Sequence, residues 1–371
     1  MAISRLRISH LRNILSAELT PSRLNLLFGA NASGKTSILE SVYLLGSGRS
    51  FRTTRLDPLI NQESTQCTVH ALLKAEDSAS PLSIGVARYR NGDFEGRVQG
   101  RAVRTATELA RSLPVLLINS ATFGLLEGGP KMRRQFLDWG VFHVEPGFHQ
   151  AWLQAYRSLK HRNILLRRDK ISDDEMDTWN AHFIHGASEL DAYRRHHFEA
   201  FLPIFTSMLD RLVTLDGFEL SYARGWDRDR ELRDVLATQF QSDRERGFTY
   251  SGPHRADMRA RLRGMEAIDT LSRGQQKLVV CAMKLAQARV LLESRAAGCV
   301  FLIDDLPAEL DRRHRRLLCE VLDEMQAQVM ITCVDQHELM DCWSNLRSSE
   351  LTMFHVEHGN VAVFKQGELN G

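Results

Sequence analysis

A chain of 371 residues with 43% hydrophobic and 25% charged residues has the composition of an ordinary globular protein, long enough for two domains. Its formal net charge of +2 excludes a generally basic nucleic-acid binder, so any basic surface must be local. Six cysteines without a C-x-x-C pair, a start without a signal-peptide core and no bilayer-length apolar run argue against zinc, disulfides and membrane insertion; the expected location is the reducing cytoplasm.

In chain order, Ile3 to Leu11 predicts a strand and is followed by Arg12 and Asn13. Leu24, Leu26, Leu27 and Phe28 predict a short buried strand running into Gly29-Ala30-Asn31-Ala32-Ser33-Gly34-Lys35-Thr36. That stretch fits the P-loop pattern G-x-x-x-x-G-K-[ST] in full. Ile38, Leu39, Val42 and Leu45 fall on one face of a helix starting near Thr36, with Gly46 as its end. Strand, glycine loop and helix suit a phosphate chain. The glycines admit backbone N–H groups close to the phosphates, and the helix N-terminus adds positive potential. Lys35 reaches the terminal phosphates as a point charge, and the Thr36 hydroxyl can ligate Mg²⁺. In the following loop Arg49 and Arg52 either contact phosphate or DNA or lie in solvent.

From Gln66 to Val103 the alternation predicts antiparallel strands, with Asn91-Gly92 as a strong two-residue hairpin turn and Gln99-Gly100 as a weaker one. Pro114 to Ile118 predicts a buried strand ending at Asn119 and Ser120. After Gly128-Gly129-Pro130 the pattern turns helical. Phe148, Trp152, Tyr156 and Leu159 mark one helix. Ser172 with Glu175 starts another, which Pro203 breaks or bends. The pair reads as an antiparallel helical hairpin, projecting or not. Phe218, Leu220 and Tyr222 suggest a strand, Leu232 to Phe240 a charged helix, and Phe248 to Arg255 a return to the nucleotide domain.

Leu271-Ser272-Arg273-Gly274-Gln275 predicts a capped helix start, with Ser272 as N-cap, Gln275 completing a capping box, and Ser272 with Gly274 forming a second anion site. Cys299 to Ile303 is an apolar strand ending in Asp304 and Asp305. Asp304 suits Mg²⁺; Asp305 is placed to orient or deprotonate a water attacking the γ-phosphate. Arg312, Arg313, His314, Arg315 and Arg316 then crowd a helix start, as a solvated face or a DNA contact. Val329 to Cys333 is another core strand, and Phe354 and Val356 pair with Val361 and Val363 across His358-Gly359-Asn360.

P-loop, L-S-x-G-Q, paired acids and Glu309-Leu310-Asp311, in that order, resemble the ABC-type ATPase superfamily. The long insertion between Thr36 and Ser272 is similar to the SMC branch. Leu11-Arg12-Asn13-Ile14, Gly48 to Arg52, Gly128 to Trp139 and Ser251 to Arg255 resemble its RecF family of bacterial recombination mediators over nearly the whole chain. The resemblance implies an α/β fold: an ABC-type P-loop ATPase head with a mixed sheet and an antiparallel β subdomain (1–125 and 250–371), and an inserted, mainly helical arm (126–249). It implies ATP and Mg²⁺ as cofactors, and adds Arg12, Asn13 and Ser37 to the P-loop, Ser272, Gly274 and Gln275 as nucleotide-binding residues. Lys35, Asp304 and Asp305 would be catalytic, with Thr36 and Asp304 on the metal.

It further implies ATP-dependent homodimerisation and binding of single-strand/double-strand junctions or gapped duplex. RecO and RecR partners, loading of the RecA recombinase and a role in the response to DNA damage follow from the same resemblance. The chain departs from the wider pattern in three places. Asp305 replaces the usual glutamate, which implies slow hydrolysis; Asn119 and Ser120 stand where a glutamine is usual; and Asp335 and His337, not an adjacent histidine, follow the Val329 strand. The competing classes are a subunit of another DNA or membrane machine, which the insertion and RecF-like motifs disfavour, and a P-loop kinase, which has no use for L-S-R-G-Q.

Overall fold

The structure is a computed structural model that describes residues 2–74, 80–170, 172–295, 298–340, 342 and 350–364. The chain forms two compact units, Met1–Phe123 with Cys281–Gly371, and Gly124–Val280.

The first unit contains two six-stranded sheets. One is antiparallel, in the order β2 (Ile14–Leu19), β1 (Ala2–Leu11), β4 (Gln66–Lys74), β5 (Leu82–Tyr89), β6 (Phe94–Val98) and β7 (Arg101–Val103). The other is mixed, in the order β15 (Asn360–Phe364), β14 (Leu351–Glu357), β3 (Leu24–Phe28), β13 (Gln328–Cys333), β12 (Val300–Ile303) and β8 (Val115–Ile118). In the mixed sheet β14, β3, β13, β12 and β8 are parallel, and β15 closes the edge as an antiparallel hairpin. Strands of such a sheet are buried on both faces and so read as unbroken apolar runs. All five residues of β3 are buried. Its one polar member, Asn25, donates to the carbonyls of Ser22 at 2.8 Å and Val329 at 3.0 Å, which offsets its desolvation.

Three local expectations change. The P-loop helix spans Lys35–Ser47 and ends at Gly48, whose φ of 67° is the left-handed C-cap conformation. Gly46 lies inside that helix, where a Cβ would run into the Leu113 carbonyl and the Val115 side chain, so its glycine serves close packing. Gln99 and Gly100, with φ of 51° and 74°, make the tight two-residue turn, whereas Asn91-Gly92 lies within a longer link from Tyr89 to Phe94. Predicted pairings at the far end hold: Phe354 pairs with Val363 and Val356 with Val361.

In the second unit, helices Phe148–Leu166 and Asp173–Leu212 run against each other. A Cβ on Gly186 would approach the Ala155 nitrogen to 2.7 Å, so glycine sets the close approach of the two axes. The second helix continues through Pro203 without breaking, because Phe198, Phe201, Phe205 and Leu209 are buried on both sides of it. The Ser172 hydroxyl accepts from the Glu175 N–H, but the Glu175 carboxylate turns to Arg168, so only half of the predicted capping box forms. Residues 250–280, expected with the head, fold in this unit: β10 (Asp257–Leu262) pairs with β9 (Phe218–Ala223) and β11 (Met265–Glu266).

Buried ion pairs organise this unit. The fully buried Arg194 donates to both Asp138 oxygens at 2.7 and 2.9 Å and to the Pro253 carbonyl at 2.7 Å. Arg162 donates to Asp243 at 2.9 Å and to the Thr249 hydroxyl. His197 is buried near Arg194 in sequence, its Nδ1 has no partner, and burial pushes its pKa down to about 4. The unfolded chain therefore takes a proton, near the ordinary value of about 6.5, that the folded chain refuses. Stability is complete above that value and is lost as pH falls towards 4. Urea unfolding at pH 7 and pH 5 should show roughly 2 kcal/mol less pH dependence in His197→Phe than in the parent. Equal pH dependence in both proteins would remove His197 as its cause.

Candidate nucleotide site

Parallel pairing places the carboxyl ends of β3, β12, β13 and β8 along one edge, the position where open α/β sheets bind ligands. The Asp304 N–H donates to the Ile118 carbonyl at 2.9 Å and the Gly29 N–H to the Val334 carbonyl at 3.2 Å, so the four strand ends are tied to each other. A cleft of about 1050 Å³ opens there, lined by residues of the first unit that include Asn31 to Ser37, Asn119, Ser120, Asp304, Asp305 and Thr332.

The loop itself is built for close backbone approach. Gly29 and Gly34 have φ of 144° and 121°, conformations that side-chain-bearing residues avoid. A Cβ on Gly29 would also strike the Val356 carbonyl of β14. The helix that follows has no side-chain cap and no acid in its first turn. Its leading N–H groups lack intrahelical partners, and nothing negative on the helix opposes an anion there. Lys35 Nζ is held by the carbonyls of Gly29 at 2.7 Å and Ala30 at 2.8 Å. Burial lowers its pKa, while Asp305 and Asp304 act to restore it.

Thr36 Oγ1 donates to Asp304 Oδ1 at 3.0 Å, so the two residues expected on Mg²⁺ do meet. A hydroxyl and one carboxylate are hard oxygen donors, and they leave room for the phosphate and water oxygens that Mg²⁺ prefers; the set fits that ion. Among the described residues no cluster of three or more His, Cys, Asp or Glu side chains could hold a metal alone. Asp305 begins the next helical turn with φ of 54°. Its carboxyl pKa is raised by burial first and by the Asp304 charge second, against the pull of Lys35. A carboxylate with raised basicity is a better proton acceptor.

Arg12 and Asn13 border the cleft but are engaged by the protein. Arg12 donates to both oxygens of the fully buried Glu40 on the P-loop helix, at 2.8 and 2.7 Å. Asn13 donates to the Ser33 carbonyl at 3.0 Å and accepts from Ser37 Oγ at 3.2 Å, bracing the loop from behind. Arg52 reaches the cleft and lies 3.8 Å from Glu40. Ser272, Gly274 and Gln275 belong to the second unit and do not line this cleft. Ser272 and Gln275 cap their own helix reciprocally, at 2.9 and 3.3 Å, and Ser272 and Gly274 are exposed. Arg312, Arg313 and Arg316 line a separate shallow depression with Leu317 and Glu320.

Residues that pattern reading missed act through partners distant in sequence: Gly359 on the loop, Thr332 on the two aspartates and Glu40 on Arg12. Gly359, with φ of 81°, donates its N–H to the Ser33 carbonyl at 2.8 Å, and a Cβ there would strike the Asn13 carbonyl. Thr332 lies inside the Val329 to Cys333 core strand, and its one sequence signal is a polar residue within an apolar run. Glu40 carried none beyond being a carboxylate on the buried side of a helix.

A family model described as the RecF/RecN/SMC N terminal domain matches residues 2–359. The chain is 47% identical to the DNA replication and repair protein RecF of Pseudomonas putida strain KT2440, over 97% of this chain and 98% of that protein. It is also 47% identical to the RecF of Pseudomonas paraeruginosa strain PA7, over 98% of each. Among solved structures, it matches that of the recombination mediator protein RecF with ATP at a TM-score of 0.85 and 21% identity, covering 98% of this chain and 97% of that one.

Because Gly359 supports the loop from outside the cleft, Gly359→Ala should weaken binding of a fluorescent ATP analogue by roughly 5- to 150-fold, the effect of about 1–3 kcal/mol of overpacking strain. Unchanged affinity would show that the hairpin tip is dispensable for the loop.

Proposed function

The chain belongs to the RecF family of DNA replication and repair proteins, within the RecF/RecN/SMC group, and from that premise we propose an ATP-gated DNA-binding mediator of recombinational repair. The observation that carries the nucleotide part is the Thr36–Asp304 hydrogen bond at 3.0 Å beneath a P-loop whose helix start is uncapped. Gly29 to Thr36 would surround the triphosphate with backbone donors, Lys35 would supply a counter-charge, and Thr36 with Asp304 would hold Mg²⁺. Mg²⁺, when bound, neutralises charge that develops on the terminal phosphates. Asp305 orients the attacking water and accepts its proton; one methylene shorter than the usual glutamate, it makes turnover slow.

The rest of the reading follows the family. The unit Met1–Phe123 with Cys281–Gly371 acts as the head and the unit Gly124–Val280 as the arm. Two chains sandwich ATP in C2 symmetry, each offering its exposed Ser272 and Gly274, with Gln275 beside them, to the nucleotide on the other. ATP then favours the closed dimer because it binds that state better. The dimer engages gapped duplex or single-strand/double-strand junctions and works with RecR, RecO and, through them, RecA in the cytoplasm. The near-neutral net charge confines DNA contact to local basic faces, with Arg49, Arg52 and the Arg312 to Arg316 helix as the candidates. Among the described residues no helix is long and apolar enough to cross a membrane.

A gel shift on gapped duplex, with and without ATP, tests the whole reading: ATP should strengthen binding, and Lys35→Met should abolish that gain while keeping the fold. DNA binding indifferent to ATP would favour a different machine. Asp305→Asn should bind ATP as the parent does yet turn over roughly 10²- to 10⁴-fold more slowly, the range for lost general-base help. Parental turnover in that variant would assign the base elsewhere. Ser272→Arg should bind ATP as a monomer and fail to dimerise in the ultracentrifuge; dimerisation equal to the parent would exclude the sandwich.

A further inference from the structure

Thr332 stands on β13 one residue beyond the Ile303–Ile331 register pair, which sets it beside the two carboxylates that end β12. It is 1% exposed and its hydroxyl oxygen makes two hydrogen bonds of opposite sense. It accepts the Asp305 N–H at 2.7 Å and donates to Asp304 Oδ1 at 2.8 Å. The senses are fixed by chemistry: an amide N–H can only donate, so the hydroxyl proton is left to face the carboxylate. Asp304 Oδ1 thereby receives two hydroxyls, Thr36 from the P-loop helix and Thr332 from β13. Asp305 sits at φ 54°, a backbone conformation that costs free energy for a residue with a side chain. Its amide is tied down by the same oxygen.

Resting on the ATPase reading above, we propose that Thr332 is a positioning residue for hydrolysis: one hydroxyl sets the orientation of Asp304 and the backbone of Asp305 together. It acts through the two carboxylates, by its bonds to the Asp305 amide and Asp304 Oδ1. Valine has nearly the same shape and lacks both hydrogen bonds. In Thr332→Val the Asp305 amide loses its acceptor and Asp304 loses one of its two donors, while Thr36 and the glycine loop keep their contacts. Binding and turnover therefore separate.

The test uses the full chain with gapped DNA present, and measures ATP affinity with a fluorescent analogue, steady-state turnover and thermal unfolding. Thr332→Val should keep affinity within about threefold of the parent and lose about 10- to 100-fold in turnover, the usual cost of removing an orienting partner behind a metal-site carboxylate. Thr332→Ser, which keeps the hydroxyl and loses the methyl, should restore turnover to within about threefold. In the Asp305→Asn background Thr332→Val should cost far less than it does alone, because both changes disable one unit. Turnover in Thr332→Val within twofold of the parent would overturn the proposal, as would a serine variant as slow as the valine one, which would place the effect in packing. A parent chain that turns over no ATP would overturn the ATPase reading and this proposal with it. Parental turnover with an unaffected valine variant overturns this proposal alone.

Discussion

The constraint on which the site depends is strand register. β3, β13, β12 and β8 come from stretches as far apart in sequence as Leu24 and Cys333, yet they pair in parallel with their carboxyl ends along one edge. Parallel pairing needs long crossovers, and the intervening chain supplies them. A slip of one residue in β13 would exchange Thr332 for a neighbour pointing to the opposite face of the sheet. The polar residues within these buried strands oppose it: Asn25 donates to the Val329 carbonyl and Gln328 to the carbonyls of Ile3 and Ser22, bonds that a slip would break. The position of two aspartates is thus determined by contacts several residues away from them.

Two helix starts on the same chain show how capping decides what an N-terminus can do. The Lys35–Ser47 helix follows a glycine, takes no side-chain cap and carries no first-turn acid, so its donors are open to an outside anion. The Arg273–Arg295 helix satisfies its own start through Ser272 and Gln275. Its hydroxyl is exposed and can change partner, but the isolated chain already provides one. The first start is prepared for a phosphate by its backbone; the second is stable alone and needs a competing acceptor to be recruited.

The second unit uses charge differently. Arg162 and Arg194 are fully buried, and each is matched by an aspartate and by further oxygens. Buried pairs of this kind add little net stability against an apolar core, but losing one partner leaves a costly charge. They tie the 249–255 stretch to the helical hairpin through Thr249 and Pro253. That binding explains why a segment read from sequence as returning to the head folds with the arm side.

By itself the sequence determined the elements whose signal is local. The P-loop, the Leu24–Phe28 strand, the acidic end of the Val300–Ile303 strand and the Phe354–Val363 pairing follow from spacing, apolar runs and turn chemistry within a few residues. Family resemblance then carried the fold class and the repair function. Tertiary structure alone decided three things. It carried the helix through Pro203 without a break, because aromatic burial on both sides outweighs one lost hydrogen bond. It placed Gly46 inside a helix and Gly48 at its end, because Leu113 and Val115 press on the former. It also brought Gly359 to the loop, Thr332 to the two aspartates and Glu40 to Arg12, from positions whose local patterns read as turn, strand and helix. Those contacts span up to hundreds of residues, and a single sequence holds no periodicity that reports on partners so far apart.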